Sequence, residues 1–331
     1  DTDGSETFTH ADVIVPTGVT IAATSLPLGV TQSTIAGGVR FTFDPAVMTT
    51  AQVQAFLANN ITVQASGDSN VDFDVTVTIG TKETTLSGGQ VALLTNAATT
   101  TVNVDVVSVV DTPTSTSSST VNEDGLPASN LASGTPGSAP GAFGAAIAAG
   151  LSLGETAVGD TSEAITQVVI SGIPTGATIA TGGHTNVDTT VAGQVTITGT
   201  EAEIRSALAD LTLVPGTHLD TDITLGVAVT VQDTDGDAAG DSATQTFNGT
   251  HTIAVAAVAD APSVGATARG NEDAPIGLEI TATLTDTDGS ETFTHADVIV
   301  PTGVTIAATS LPTGVTQSTI AGGVRFTFDP A

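Results

Sequence analysis

Residues 71–79 read Val71-Asp72-Phe73-Asp74-Val75-Thr76-Val77-Thr78-Ile79. Apolar side chains fall on every second position, the period of a strand with one face in a core and the other in water. The same alternation recurs at Ile223, Leu225, Val227, Val229 and Val231. Shorter versions occupy Val39, Phe41 and Phe43, then Val102, Val104 and Val106, Val195 and Ile197, and Leu278, Ile280, Ala282 and Leu284, with Gly, Pro and Asp at the breaks. Two helices interrupt the pattern. Thr50 to Asn59 places Val53, Phe56 and Leu57 on one face, and Glu201 to Leu211 does the same with Ile204, Leu208 and Leu211. About seven short strands and one short helix per unit predict an all-β chain of tandem antiparallel β-sandwiches of immunoglobulin type, arranged end to end.

The tandem arrangement follows from repetition. Asp1 to Ala46 matches Asp286 to Ala331 at an offset of 285, with one difference, Leu28 against Thr313. A more diverged period of 149 relates Val109-Val110-Asp111-Thr112-Pro113 to Val258-Ala259-Asp260-Ala261-Pro262. These spacings predict three units: 1–113, a sandwich lacking its first strand; 114–262, complete; and 263–331, truncated. The middle unit carries an excess early on. Residues 129–150, rich in Gly, Pro, Ala and Ser, read as a surface insertion.

Of the 331 residues, 35 are Asp or Glu and 5 are Lys or Arg, a formal charge of −30. That balance argues against nucleic acid and anionic membrane surfaces as partners and makes cations the natural ones. The chain has no Cys, so disulfides, thiolate metal sites and Cys nucleophiles are all excluded. No apolar run approaches the roughly 20 residues that a membrane helix needs, so no membrane insertion is expected.

With seven strands lettered A to G and running alternately down and up, the A–B and E–F loops fall at the bottom of a unit, and B–C and F–G at the top beside the entering linker. Asn122, Glu123 and Asp124 then fall in A–B, and Asp220 and Asp222 in E–F. The linker Asp260 follows, with Asp286, Asp288 and Glu291 in the next B–C loop. Four stretches are expected to converge at one junction. The preceding junction offers Asp68, Asp72, Asp111, Asp160, Glu163, Asp233, Asp235 and Asp237, while Asp1, Asp3 and Glu6 repeat Asp286, Asp288 and Glu291, and Asn271, Glu272 and Asp273 repeat the A–B cluster. Hard oxygen donors from several segments suit Ca²⁺, whereas Zn²⁺ calls for thiolates or paired His. The five His residues lack ligand spacing and are expected to be structural.

The run Ala259-Asp260-Ala261-Pro262, Gly270-Asn271-Glu272-Asp273-Ala274-Pro275, Leu284-Thr285-Asp286-Thr287-Asp288-Gly289-Ser290-Glu291 and Val300-Pro301-Thr302-Gly303 resembles the tandem cadherin-like and immunoglobulin-like extender repeats of giant type I-secreted (RTX) bacterial adhesins. The resemblance covers essentially the whole chain. It implies an extracellular, cell-surface location, folding in calcium, and a role in holding a terminal binding domain away from the envelope during adhesion and biofilm formation.

Enzymatic motifs are missing. There is no dinucleotide fingerprint or phosphate loop, and the absence of Trp and Tyr removes the aromatic platforms common in glycosidases. The expected function is therefore a non-enzymatic spacer whose partners are Ca²⁺ and neighbouring repeats of its own chain. The alternatives are a module that binds surface polysaccharide through residues 129–150 and, behind it, a polysaccharide-active enzyme.

Overall fold

The computed structural model describes residues 6–67, 69–83, 95–113, 115, 117–123, 142–153, 162–236, 242–286, 288–308 and 310–329. The chain forms two compact units, one of residues 1–114, 152–167 and 229–247 and the other of residues 115–151, 168–228 and 248–331.

In the first unit the chain runs β1 (Glu6–Ile14), β2 (Thr20–Ala23), β3 (Val30–Ile35), β4 (Gly38–Phe43), α1 (Thr50–Asn59), β5 (Ile61–Gln64), β6 (Phe73–Glu83) and β7 (Thr95–Val104). Five strands form one antiparallel sheet in the order β3-β4-β1-β6-β7, and β2 pairs with β5. Ala11, Val13, Phe41, Phe43 and Val75 from the sheet meet Val53 and Phe56 of α1, with Ile21, Ile61 and Val63 of the smaller pair packed alongside. The Phe56 ring stands edge-on to Phe41 at 5.4 Å and to Phe43 at 6.0 Å, a favoured aromatic geometry. α1 starts where Thr49 and Gln52 cap each other's backbone N–H, the Thr-x-x-Gln capping box. The strand expected from Val71 begins at Phe73. Val71 is 67% exposed, because Asp72 turns its carboxylate onto the Val106 backbone N–H instead of continuing the ladder.

The following segment supplies β8 (Ser117–Asn122), α2 (Phe143–Gly150), β9 (Glu163–Ser171), β10 (Thr178–Ala180), β11 (Val187–Asp188), β12 (Gln194–Thr198), α3 (Glu201–Asp210), β13 (Thr212–Val214), β14 (Ile223–Asp233) and β15 (Ala243–Ala256). The sheet order is β11-β12-β9-β14-β15-β8, and β10 pairs with β13. In β14 the expected alternation holds residue by residue: Ile223, Leu225, Val227, Val229 and Val231 are buried. One pairing departs from the antiparallel expectation. β8 runs parallel to β15, Ser117 opposite His251 through Asn122 opposite Ala256. Parallel direction is what the first and last strands of a sandwich require when the chain enters at one end and leaves at the other.

A second helix also departs from expectation. The last eight residues of the stretch read as a surface insertion form α2, with Phe143 and Ile147 at 0% and 2% exposure. A Cβ on Gly144 would overlap the Leu208 carbonyl, so glycine lets α2 approach α3 backbone to backbone. Arg205 clamps the end of α2, Nη1 donating to the Ala148 and Leu151 carbonyls at 3.2 Å while Nε meets Glu201 at 2.7 Å.

The remaining strands are β16 (Ser263–Ala268), β17 (Leu278–Thr283), β18 (His295–Ile299), β19 (Val315–Ile320) and β20 (Gly323–Phe328), paired as β16-β17 and β18-β20-β19.

Candidate metal centre

In the second unit, four separate stretches meet: the end of β8, the loop between β13 and β14, the linker after β15, and the loop between β17 and β18. Carboxylate oxygens of Glu123, Asp286 and Asp288 lie within 4.8 Å of one another. Glu123 is 1% exposed, and the Asp286 side chain 2%. Asp220 lies within hydrogen-bonding reach of Asp288. His218 Nδ1 is 3.1 Å from Asp260 Oδ2 and 3.7 Å from Asp286 Oδ1.

Backbone donors hold the carboxylates in place. Val258 N–H donates to Glu123 Oε1 and Asp260 N–H to Glu291 Oε1, so the linker is tied to loops on both sides of it in sequence. Thr285 Oγ1 adds a bond to the Ala261 carbonyl at 3.0 Å. Within the β17–β18 loop, Asp286 Oδ1 accepts from Asp288 N–H and Asp288 Oδ1 from Ser290 N–H. The Ser290 backbone N–H, then its hydroxyl, holds the Asp288 carboxyl below the usual range, so that it stays ionised beside its neighbours.

Other expected site residues are placed differently. Asp222 Oδ1 accepts from Val255 N–H at 3.0 Å, which ties β14 to β15. Asn122 is buried at the end of β8. Asn271, Glu272 and Asp273 lie in the exposed turn between β16 and β17, Asp273 with φ +62°. Asp124 lies outside the described residues.

The first unit repeats part of this arrangement. Asp111 N–H donates to Glu163 Oε1 at 2.5 Å. Asn70 Nδ2 reaches Ser108 Oγ at 3.1 Å, Asp233 Oδ1 at 3.1 Å and the Thr234 carbonyl at 3.2 Å. Glu163, Asp233 and Asp235 are all buried. Asp72 Oδ1 accepts from Val106 N–H at 2.8 Å, the counterpart of Asp222 on Val255. Glu6 is apart from these, exposed at the start of β1 opposite Glu83. Asp1, Asp3, Asp68, Asp160 and Asp237 lie outside the described residues.

Sequence reasoning passed over His218 and Asn70. For Asn70 a signal existed: Asn70-Val71-Asp72 occupies the place of Asp220-Thr221-Asp222 in the longer unit. His218 offered none, because its acidic neighbours lie 42 and 68 positions away.

No protein-family model matches the chain, and no curated protein matches it significantly. Among solved structures, the human mucin-like protocadherin EC1-2 is similar at 14% identity and a TM-score of 0.20, covering 74% of this chain and 87% of that one. The human desmocollin-1 ectodomain matches at 12% and 0.19, covering 95% and 46%. The cadherin-like domains 1 to 4 of zebrafish RET match at 10% and 0.16, covering 98% and 58%. At these TM-scores the likenesses carry no argument, and the all-β sandwich assignment rests on the strands and sheets themselves.

Proposed function

We propose that this chain is part of a calcium-stiffened spacer in a large bacterial surface adhesin, non-enzymatic and extracellular, which supports adhesion and biofilm formation. In this reading the repeating units are 1–113, 114–262 and 263–331, with Ca²⁺ and neighbouring repeats as partners. The observation that carries it is the approach of Glu123, Asp286 and Asp288 to within 4.8 Å. Two unit charges at that distance repel by about 0.9 kcal/mol in bulk water and about 3.5 kcal/mol at an effective dielectric of 20.

The donor set fits a hard cation. It offers carboxylate oxygens from separate loops, with no thiolate and, among the described residues, the His218 imidazole beside them. In the same junction Glu291 Oε2 is buried without a hydrogen-bond partner while its Oε1 holds the linker. Glu123, Asp286 and Asp288 would hold the ion, which supplies the positive charge that offsets their repulsion. The chain's own part is to present these groups from the linker and its flanking loops, so that ion binding restrains both at once.

Calorimetric titration of the full chain with Ca²⁺ at physiological salt tests the site, and no binding at millimolar concentration would sink it. Small-angle scattering with and without chelator tests the spacer role. Chelation is expected to make the particle more compact or more variable on average, and an unchanged maximum dimension counts against the stiffening. The polysaccharide reading gains no support from α2, the described end of residues 129–150, since its apolar face is spent on α3.

A further inference from the structure

We propose that His251 is a proton-operated latch: when its ring takes up a proton, strand β8 lifts off β15 and carries Glu123 away from the linker that follows β15. Three features of the second unit build the latch: a titratable ring inside the core, a weakly held strand docked on it, and a linker fastened to the end of that strand.

The ring occupies a core position. On β15, His251, Ile253 and Val255 alternate inward, and all three are buried. His251 Nδ1 lies 2.7 Å from Ser117 Oγ and Nε2 2.9 Å from Ser119 Oγ, and the Phe143 ring of α2 stands 6.1 Å away between centroids. The two hydroxyls are its hydrogen-bond partners among the described residues. By rotating, they can accept from both ring nitrogens, so a protonated ring keeps its hydrogen bonds. What it lacks is a counter-charge. β8 and α2 carry no charged side chain, β15 carries none besides His251, and β14 carries only Asp233, which accepts from Asn70 Nδ2. At the ends of these elements stand Asp222 on the Val255 N–H, Arg205 on the Ala148 and Leu151 carbonyls, and Glu123 on the Val258 N–H. An unpaired charge among apolar groups is expensive, and desolvation already holds the ring's pKa below its ordinary value.

β8 is the element able to yield. It ends its sheet, so β15 is its one strand neighbour among the described residues. Its sequence, Ser117-Ser118-Ser119-Thr120-Val121-Asn122, brings a single apolar side chain to the core, Val121, where β14 brings Ile223, Leu225, Val227, Val229 and Val231. A segment with so little buried apolar surface opens locally at a lower cost than the sheet as a whole. Ser117 and Ser119, on the same face of β8 as Val121, both rest on the His251 ring, so a charge there acts on β8 first.

The linker is fastened to the far end of the same strand. Ser117 stands opposite His251 and Asn122 opposite Ala256, a span of about 17 Å. Glu123, the next residue, accepts the Val258 N–H on Oε1. β8 cannot leave β15 without withdrawing that carboxylate from the linker and from Asp286 and Asp288. The neutral ring holds β8 at pH values above about 6.5, the ordinary imidazole pKa, and the hold declines as pH falls below it. This inference does not rest on calcium, and its test is run in excess chelator.

Amide exchange of the full chain, followed by mass spectrometry at pH 7.5 and 5.5 and expressed as protection factors, reads β8 and the linker separately. Protection of residues 118–122 and of Val258 is expected to fall several-fold at pH 5.5, by at most about tenfold, the ratio of protonated to neutral imidazole in an unfolded chain there. β9 and β12 are expected to keep theirs. In His251→Gln neither β8 nor Val258 is expected to show the fall. A chain carrying Ser118→Cys and Thr252→Cys gives a second reading, since these two residues are exposed and opposite one another across β8 and β15, about 4.8 Å apart and within disulfide reach. Oxidised, it is expected to keep Val258 protected at both pH values; reduced, it should lose protection as the native chain does. Should His251→Gln leave β8 unprotected at both pH values, the oxidised and reduced forms decide alone. Unchanged β8 protection at pH 5.5, an equal loss in β9 and β12, or a fall at Val258 that persists in His251→Gln or in the oxidised chain would each overturn the proposal.

Discussion

Asp111 donates its backbone N–H to Glu163 Oε1, and Asp260, 149 residues later, makes the same bond to Glu291 Oε1. In each case the Asp precedes a Pro by two positions, and the Glu lies further along the chain, 52 residues on in the first case and 31 in the second. The bond fixes the linker backbone while leaving the Asp carboxylate available to its surroundings. An acidic linker that is first held by its backbone can bring its charge to a cation without losing position, which is why the carboxylates in the second unit stay close despite their repulsion.

Removing that charge is expected to matter in proportion to proximity. Asp288→Asn and Asp260→Asn should reduce the rise in melting temperature that Ca²⁺ produces, whereas Asp105→Asn, exposed just past the end of β7, should leave it unchanged. For the unaltered chain, free Ca²⁺ at a hundredfold over Kd contributes about 2.7 kcal/mol, seen by scanning calorimetry against an excess of chelator. Equal effects of all three substitutions would contradict the site.

Acidification is expected to weaken the chain through His251. This residue is fully buried, Nδ1 at 2.7 Å from Ser117 Oγ and Nε2 at 2.9 Å from Ser119 Oγ, and desolvation by burial pulls its pKa below the ordinary value. As pH falls, the unfolded chain takes up this proton before the folded one does. Stability tied to His251 is thus full above about pH 6.5 and declines below it. Urea midpoints measured at pH 7.5 and 5.5 should differ more for the native chain than for His251→Gln; equal differences would remove His251 from the account.

Filling the contact between α2 and α3 is expected to be costly. Gly144→Val places carbon where the Leu208 carbonyl and the Leu211 side chain already sit, and overpacking of this kind costs roughly 1–3 kcal/mol. Chemical denaturation reads the loss. Wild-type stability would mean that α2 is free to move away.

The first sandwich is expected to depend on Phe56, which is 2% exposed and touches both Phe41 and Phe43. Phe56→Ala should destabilise it by roughly 3–5 kcal/mol, the transfer and cavity cost of a buried ring. Amide exchange along β1 and β6 would show the loss locally, and unchanged protection there would refute it.

Much of this was legible from residue order. The alternations at Phe73 to Ile79 and Ile223 to Val231 announce strands because a pleated chain sends successive side chains to opposite faces. The helices at Thr50 and Glu201 carry their start signals, Thr49 with Gln52 and Thr200 with Glu203. α2 was illegible for the opposite reason. Phe143 to Gly150 is nearly all apolar, Ala or Gly, so its sequence has no polar side to define a face, and its partner α3 lies about 60 residues away.

Local periodicity and exact repetition are properties of neighbouring residues, so the sequence by itself determined that the chain is built of β-strands, that its units recur, and which loops are acidic. Only the tertiary structure decided which carboxylates of the expected junction approach one another, that His218 stands beside Asp260, and that Asp222 and Asp72 serve the backbone instead. Such meetings depend on how sheets and loops bring together residues that lie 33 to 163 positions apart, and local spacing does not fix which side chains end up side by side. The same holds for burial: Val13 is 3% exposed because β6, whose Val77 pairs with it from 64 positions along the chain, closes the sheet beside it.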